Sequence, residues 1–361
     1  MVLGILKEHA DPRVGLTPDG AQRMKALGVS VVVEHMAGEG AFYSDTDYLP
    51  HAEVLPRKEV LLKADVLLGI HPPVHSELEI LKEGTVLISQ FAPFSNPEII
   101  ETLKIFRLQA LSLDMIPRTT LAQSMDVLSS MAGLAGYQAV LSAATLLPRY
   151  FPMMITAAGS IKPAKILVLG AGVAGLQAIA TARRLGAVVE AFDTRSAAKE
   201  EVKSLGARFI EIEGAAEDKD AGGYAVAQSE EFLRRQQSEV QKRASNADVI
   251  ITTAQVRGRK APVLIPSSTV EAMRAGSVIV DLAASTGGNC ELTENGKTVR
   301  HHGVTIVGDS DLAAKMPQDA STLFSNNVVN FLKILFKEGE LHLDPDNQII
   351  RESLLTNSSE H

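Results

Sequence analysis

The chain has 361 residues, 45% of them hydrophobic and 22% charged, which is long enough for two domains and too apolar for a disordered polypeptide. A single cysteine, Cys290, excludes a disulfide framework and a multi-cysteine metal site, and it suits a reducing compartment. With 43 acidic against 35 basic residues the net charge is −8, which gives no support to nucleic-acid or anionic-membrane binding. From the N-terminus, Lys7, Glu8 and Asp11 interrupt the opening apolar run too early for a secretion signal. Short apolar runs then follow at 2–6, 29–34, 64–70, 85–91 and 108–116, with amphipathic stretches such as 19–27 and 96–104 between them. Residues 127–148 carry no charge and are long enough to span a bilayer. Their Ala, Gly and Ser content, with Tyr137 and Gln138 inside, reads instead as a helix buried between soluble layers, so no membrane span is expected. Strand-like runs resume at 164–170, 187–193, 247–253, 277–282 and 304–308, and 319–337 reads as a long helix returning to the first domain. The tail after Glu338 reads as polar and frayed. Strands alternating with helices at this spacing predict an α/β fold: two Rossmann-like, doubly wound parallel-sheet domains joined by long helices. The expected boundaries are 1–125 plus 319–361 for the first domain and 126–318 for the second.

Residues 165–175 run from a strand into Gly-x-Gly-x-x-Gly and then a helix. Gly170 would make the tight turn, Gly172 would let a pyrophosphate approach the backbone, and Gly175 would let helix and strand pack closely. The helix N-terminus would add unpaired N–H groups and a positive dipole end. The next strand ends in Asp193, about twenty residues on, where an acid binds the free ribose 2′-hydroxyl of NAD. Arg195 stands against that preference, since a nearby arginine can accept a 2′-phosphate.

The fifth run ends near Pro117, and Arg118, Gln123, Asp126 and Ser129 follow at a strand end and along the first helical turns, where α/β proteins bind ligands. Asp126 and Ser129 share a helix face: Ser124 or Asp126 could simply cap the helix, or the four polar groups together could orient a nicotinamide ring and its amide. The polar region 211–246, centred on Ala221-Gly222-Gly223-Tyr224-Ala225, has the composition of a closing lid and equally that of a solvated loop before a charged helix. His301 and His302 read as surface residues of a hairpin turn, and Met153 and Met154 as core.

The segments at 7–18, 115–140, 151–187, 221–225, 251–265 and 278–289 resemble the NAD(H)-binding component of the proton-translocating NAD(P) transhydrogenases, over residues 1 to about 336. The most telling is the stretch from Arg118 to Ser130, in MIPRTTLAQSMDVLSS. The resemblance implies a homodimer of two nucleotide-fold domains and hydride passing directly between NADH here and NADP⁺ on a separate component. Arg118, Asp126 and Ser129 would contact the nicotinamide end and Gln123 would lie at the transfer site, making Arg118, Gln123 and Asp126 the catalytic set. Asp193, with Thr194 and Arg195, would hold the adenosine ribose, and Val173 would join the three glycines at the pyrophosphate. Tyr224 would sit on a loop closing over the nucleotide, with Gly223, Gln236 and Gln255 as further contacts. The resemblance carries no metal site. It implies a cytoplasmic subunit held at the inner membrane through membrane-embedded partner subunits, in the split bacterial arrangement.

Some positions depart from the family pattern that the resemblance implies: Met36 replaces a glycine, Ser285 an acidic residue, and Gln255-Val256-Arg257 an apolar-Pro run. The rival reading is an alanine dehydrogenase, whose substrate-carboxylate arginine Arg13 would match. That chemistry also needs a lysine and a histidine, and those positions hold His71 and Ala92. A non-catalytic NAD-binding module is the third reading, which would need neither Gln123 nor a lid.

Overall fold

Val, Ile and Leu dominate the short runs, and each run becomes a strand whose successive side chains point to opposite faces. The structure, a computed structural model, describes residues 1–211, 230–256 and 258–356. The chain divides into two units, Met1–Met131 with Ala313–His361 and Ala132–Leu312. It passes between them inside a helix, Val127–Leu146, because the first turn of that helix keeps Val127 in the first unit's core.

In the first unit, strands β1 (Val2–Ile5), β2 (Ser30–Glu34), β3 (Glu53–Leu55), β4 (Val66–Leu68), β5 (Val86–Ser89) and β6 (Gln109–Ser112) form a parallel sheet in the order β3-β2-β1-β4-β5-β6. The order reverses between β1 and β4, which makes their carboxyl ends the topological switch point. One face packs Leu3, Ile5, Val33 and Leu68 against Met24 and against Phe324, Val328, Phe331 and Leu332 of the helix Pro317–Leu335. The other packs Val32, Leu67, Leu87 and Ala110 against Val60, Leu78 and Leu103. Each such buried side chain contributes about 1.5–3 kcal/mol over exposure. The long C-terminal helix therefore returns to the first unit as its apolar face requires.

As far as Thr356 the tail is packed rather than frayed. Ile349 and Ile350 of the helix Gln348–Ser353 are buried, and the chain beyond it lies along the open side of β6. There the Leu355 N–H donates to Ala110 O at 2.8 Å, and Thr356 Oγ1 donates to Leu108 O at 2.9 Å. Covering an open strand edge satisfies backbone groups that a polar tail would leave to water. The run at 108–116 is shorter as a strand than expected, because Leu113–Met115 winds into a 3₁₀ turn.

In the second unit, a hairpin of β7 (Met154–Thr156) and β8 (Gly159–Ile161) precedes the main sheet. That sheet holds β9 (Lys165–Leu169), β10 (Val188–Phe192), β11 (Arg208–Phe209), β12 (Val249–Thr252), β13 (Val278–Asp281), β14 (Thr298–His301) and β15 (Val304–Val307). Its order is β11-β10-β9-β12-β13-β15-β14, parallel except for the edge strand β14, with the switch point between β9 and β12. His302 and Gly303, both at positive φ, make the β14–β15 turn, as the two histidines suggested. Met153 is not core: it leads into the hairpin and is 63% exposed. The Val127–Leu146 helix is, among the described residues, the one long and apolar enough to cross a membrane. It is buried only along Ala135, Gly136, Ala139, Val140 and Ala143 in this unit, less than a helix sandwiched between layers would be.

Candidate functional site

The glycine-rich turn follows β9, at the switch point of the second sheet. Gly170 has φ 99°, and a Cβ there would stand 2.4 Å from Thr253 Oγ1, so both the turn and its neighbour demand glycine. A Cβ on Gly175 would meet Gly170 O at 1.9 Å, which is the close helix–strand approach expected of the third glycine. Around Gly172 nothing lies within 4 Å of the Cβ position, leaving open space at the N-terminus of the helix Val173–Arg184. Val173 itself is half exposed there. This cradle suits a phosphate: backbone approach is unobstructed and the helix dipole favours negative charge.

Asp193 follows β10, and its Oδ2 accepts the Ala171 N–H of the glycine turn at 2.7 Å. Arg195 forks onto the same carboxylate, with Nε to Oδ1 and Nη2 to Oδ2 both at 3.0 Å. Burial pushes the Asp193 carboxyl up, but the Arg195 side chain and the Ala171 N–H outweigh it and hold the group below the usual carboxylate range. Thr194 is exposed beside the pair. Gln255 is exposed after β12 and donates from Nε2 to Leu282 O at 2.8 Å, and Gln236 is half-buried in the helix Glu230–Ser245. Gly223 and Tyr224 lie outside the described residues.

One network here was not read from the sequence. Asp281, fully buried at the end of β13, accepts from Thr252 Oγ1, the Ala283, Asn289 and Cys290 N–H groups and Thr293 Oγ1. Asn289 in turn bridges both backbone groups of Ala254 and the Pro262 carbonyl. These bonds fix the strand end beside the glycine turn. An aspartate closing a strand before Gly-Gly-Asn is the signal that could have found it. Ser285, in the same loop, donates its backbone N–H to Ser310 Oγ at 3.0 Å.

In the first unit, Arg118 and Gln123 are exposed, and Gln123 lies in the 3₁₀ helix Thr120–Met125. Buried Ala122 and Met125 pin that turn, and Asn327 and Asn330 donate to the Ser124 carbonyl at 2.9 and 3.2 Å. Asp126 caps the following helix: Oδ1 accepts the Ser129 N–H at 2.9 Å and Oδ2 accepts Ser129 Oγ at 2.6 Å. The capping alternative is thus realised, and it holds Asp126 and Ser129 in fixed register directly after the turn that carries Gln123.

A second cluster stands at the carboxyl ends of β1 and β4. Arg13, 4% exposed, grips Asp11 with Nε to Oδ1 at 3.0 Å and Nη2 to Oδ2 at 2.5 Å. His71 Nε2 lies 3.1 Å from Asp11 Oδ2. Glu8 accepts the Ile70 N–H at 2.6 Å and the His71 N–H at 3.2 Å. Burial pushes the Glu8 carboxyl up. Burial does the same to Asp11, but the hydrogen bonds from His71 and Arg13 prevail and keep it strongly ionised. The bond to Asp11 in turn raises the His71 pKa. Ala92, the other position compared with a catalytic group, carries no titratable side chain and has φ 48°.

Residues 4–135 match the family described as alanine dehydrogenase/PNT, N-terminal domain, and residues 139–361 match its C-terminal domain. The chain is 41% identical over 356 residues to the NAD(P) transhydrogenase subunit alpha of Haemophilus influenzae, covering 97% of this chain and 70% of that one. The crystal structure of transhydrogenase from Sinorhizobium meliloti superposes with a TM-score of 0.91 at 41% identity, covering 99% of both chains. An L-alanine dehydrogenase structure superposes with a TM-score of 0.80 at 25% identity, covering 98% of this chain and 94% of that one.

Proposed function

The chain belongs to the alanine dehydrogenase/PNT family, and within it we propose that it is the NAD(H)-binding subunit of a proton-translocating NAD(P) transhydrogenase. When bound, NADH supplies the hydride, whose acceptor is NADP⁺ held by a separate component. Gly170, Gly172, Val173 and Gly175 cradle the pyrophosphate, and Asp193, Thr194 and Arg195 face the adenosine ribose. Arg118, Asp126 and Ser129 orient the nicotinamide end, and Gln123 reaches toward the partner's nucleotide. Gly223, Tyr224, Gln236 and Gln255 complete the contacts. The chain works as a homodimer on the cytoplasmic side of the inner membrane, tethered by membrane-embedded subunits rather than by a span of its own.

The observation that carries this reading over an amino-acid dehydrogenase is the Asp11 carboxylate in the Arg13 fork. The arginine that would receive a substrate carboxylate already grips one from its own chain. His71 is bonded to the same carboxylate, which raises its pKa and ties the ring to Asp11. Direct hydride transfer needs no general acid, only orientation and the exclusion of water, and the pinned 118–129 turn suits that task.

The test is hydride transfer from NADH to an NADP⁺ analogue, with and without a purified transhydrogenase NADP-binding domain, and alanine plus NAD⁺ run alongside. Transfer only with the partner supports the proposal. Alanine oxidation by the chain alone would establish the dehydrogenase reading, and NADH binding without transfer under either condition would leave a binding module.

A further inference from the structure

Asp193 is more crowded than a ribose-binding acid needs to be. Its Oδ1 accepts the Arg195 backbone N–H at 2.8 Å and Arg195 Nε at 3.0 Å, while Oδ2 accepts the Ala171 N–H at 2.7 Å and Arg195 Nη2 at 3.0 Å. A carboxylate offers about four lone-pair sites, and these four donors fill them. The two backbone donors are fixed by the glycine turn and by the turn after β10. The guanidinium is the donor able to leave: the Arg195 side chain is 45% exposed, the Asp193 side chain only 7%. A ribose diol binding this carboxylate in bidentate fashion must therefore displace Arg195. A ligand bearing a 2′-phosphate meets the same arginine as a mobile, planar cation suited to phosphate oxygens.

We infer that Arg195 is a specificity-determining residue that narrows the preference for NAD(H) over NADP(H), competing with the ribose diol for Asp193 and offering a partner to a 2′-phosphate. The inference rests on the nucleotide reading proposed above. It inverts the ordinary view of an arginine beside this acid as a plain aid to binding. Asp193 sets the preference and Arg195 erodes it.

The experiment is equilibrium titration of the full chain with NADH and with NADPH, followed by nicotinamide fluorescence, for the wild type, Arg195→Ala and Arg195→Lys. Arg195→Ala is expected to bind NADH a fewfold tighter and NADPH about tenfold weaker, widening the ratio. Arg195→Lys, which keeps the charge and loses the fork, is expected to fall between the two. An unchanged or narrowed ratio in both variants would overturn the inference, as would a parallel loss of both nucleotides at an unaltered melting temperature. A wild-type chain that binds neither nucleotide would instead sink the nucleotide reading itself, and this inference with it.

Discussion

The two units solve the problem of a switch-point site in different materials. The second builds its cradle from backbone: Gly170 and Gly175, demanded by a positive φ and by a close approach, Gly172 bordering open space, and a strand end locked by Asp281 and Asn289. The first builds its switch point from side chains, an arginine gripping an aspartate beside a histidine, and beyond the edge strand β6 it pins a separate short turn with two asparagines. Backbone sites have no way to relax, so a single added carbon is ruinous. Side-chain sites have rotamers and partners that redistribute a loss. On the proposed reading each function sits in the material that suits it: fixed recognition of a phosphate in the second unit, orientation of a reacting group in the first.

Gly175→Ala puts this contrast under the heaviest strain. Its Cβ would meet Gly170 O at 1.9 Å, so helix and strand must separate. The expected cost is about 3 kcal/mol with loss of NADH binding, read by thermal unfolding and by titration. A variant of unchanged melting temperature and affinity would show that the cradle relaxes as the first unit does.

In the first unit the expected effects are smaller. His71 has its pKa raised by its bond to Asp11, so its contribution is fully present below the unfolded imidazole value of about 6.5 and is lost as pH rises through the folded value. Stability of the wild type should therefore decline on the alkaline side by under about 1 kcal/mol, since His71 is half exposed, and His71→Gln should remove that component. Identical pH profiles would show that the cluster contributes nothing to stability. Smallest is Met36→Gly. Met36 sits at φ 60°, a left-handed conformation that suits the glycine which the resemblance implies there. Glycine should raise stability by up to about 1 kcal/mol in chemical denaturation, with no effect on nucleotide binding.

The same contrast governs what the sequence made legible. Glycine spacing, β-branched runs and the acid after the second strand of the Rossmann unit write their geometry directly, so the cradle, the sheets and the long helices were readable residue by residue. Asp11 was not, because an ion pair two residues from Arg13 leaves no periodic trace, and neither was the docking of the tail, where only Ile349 and Ile350 interrupt a polar stretch. Met153 looked like core because methionine composition says nothing about a hairpin that carries it outward. The roles of Arg118 and Gln123 came from resemblance alone, since exposed polar side chains on a short turn look the same whether or not they touch a ligand.

The division of labour is tested most directly by one paired measurement: the Kd for NADH and the single-turnover hydride-transfer rate at saturating nucleotide, in Asp193→Ala and Gln123→Asn. The expected result is crossed. Asp193→Ala should weaken NADH binding about 10- to 100-fold, as expected for loss of a hydrogen bond to a charged group, and leave the rate near that of the wild type. Gln123→Asn should slow transfer about tenfold or more, as a displacement of roughly 1 Å does, and leave the Kd nearly unchanged. If each variant lost affinity and rate in equal measure, the two units would not divide recognition from positioning.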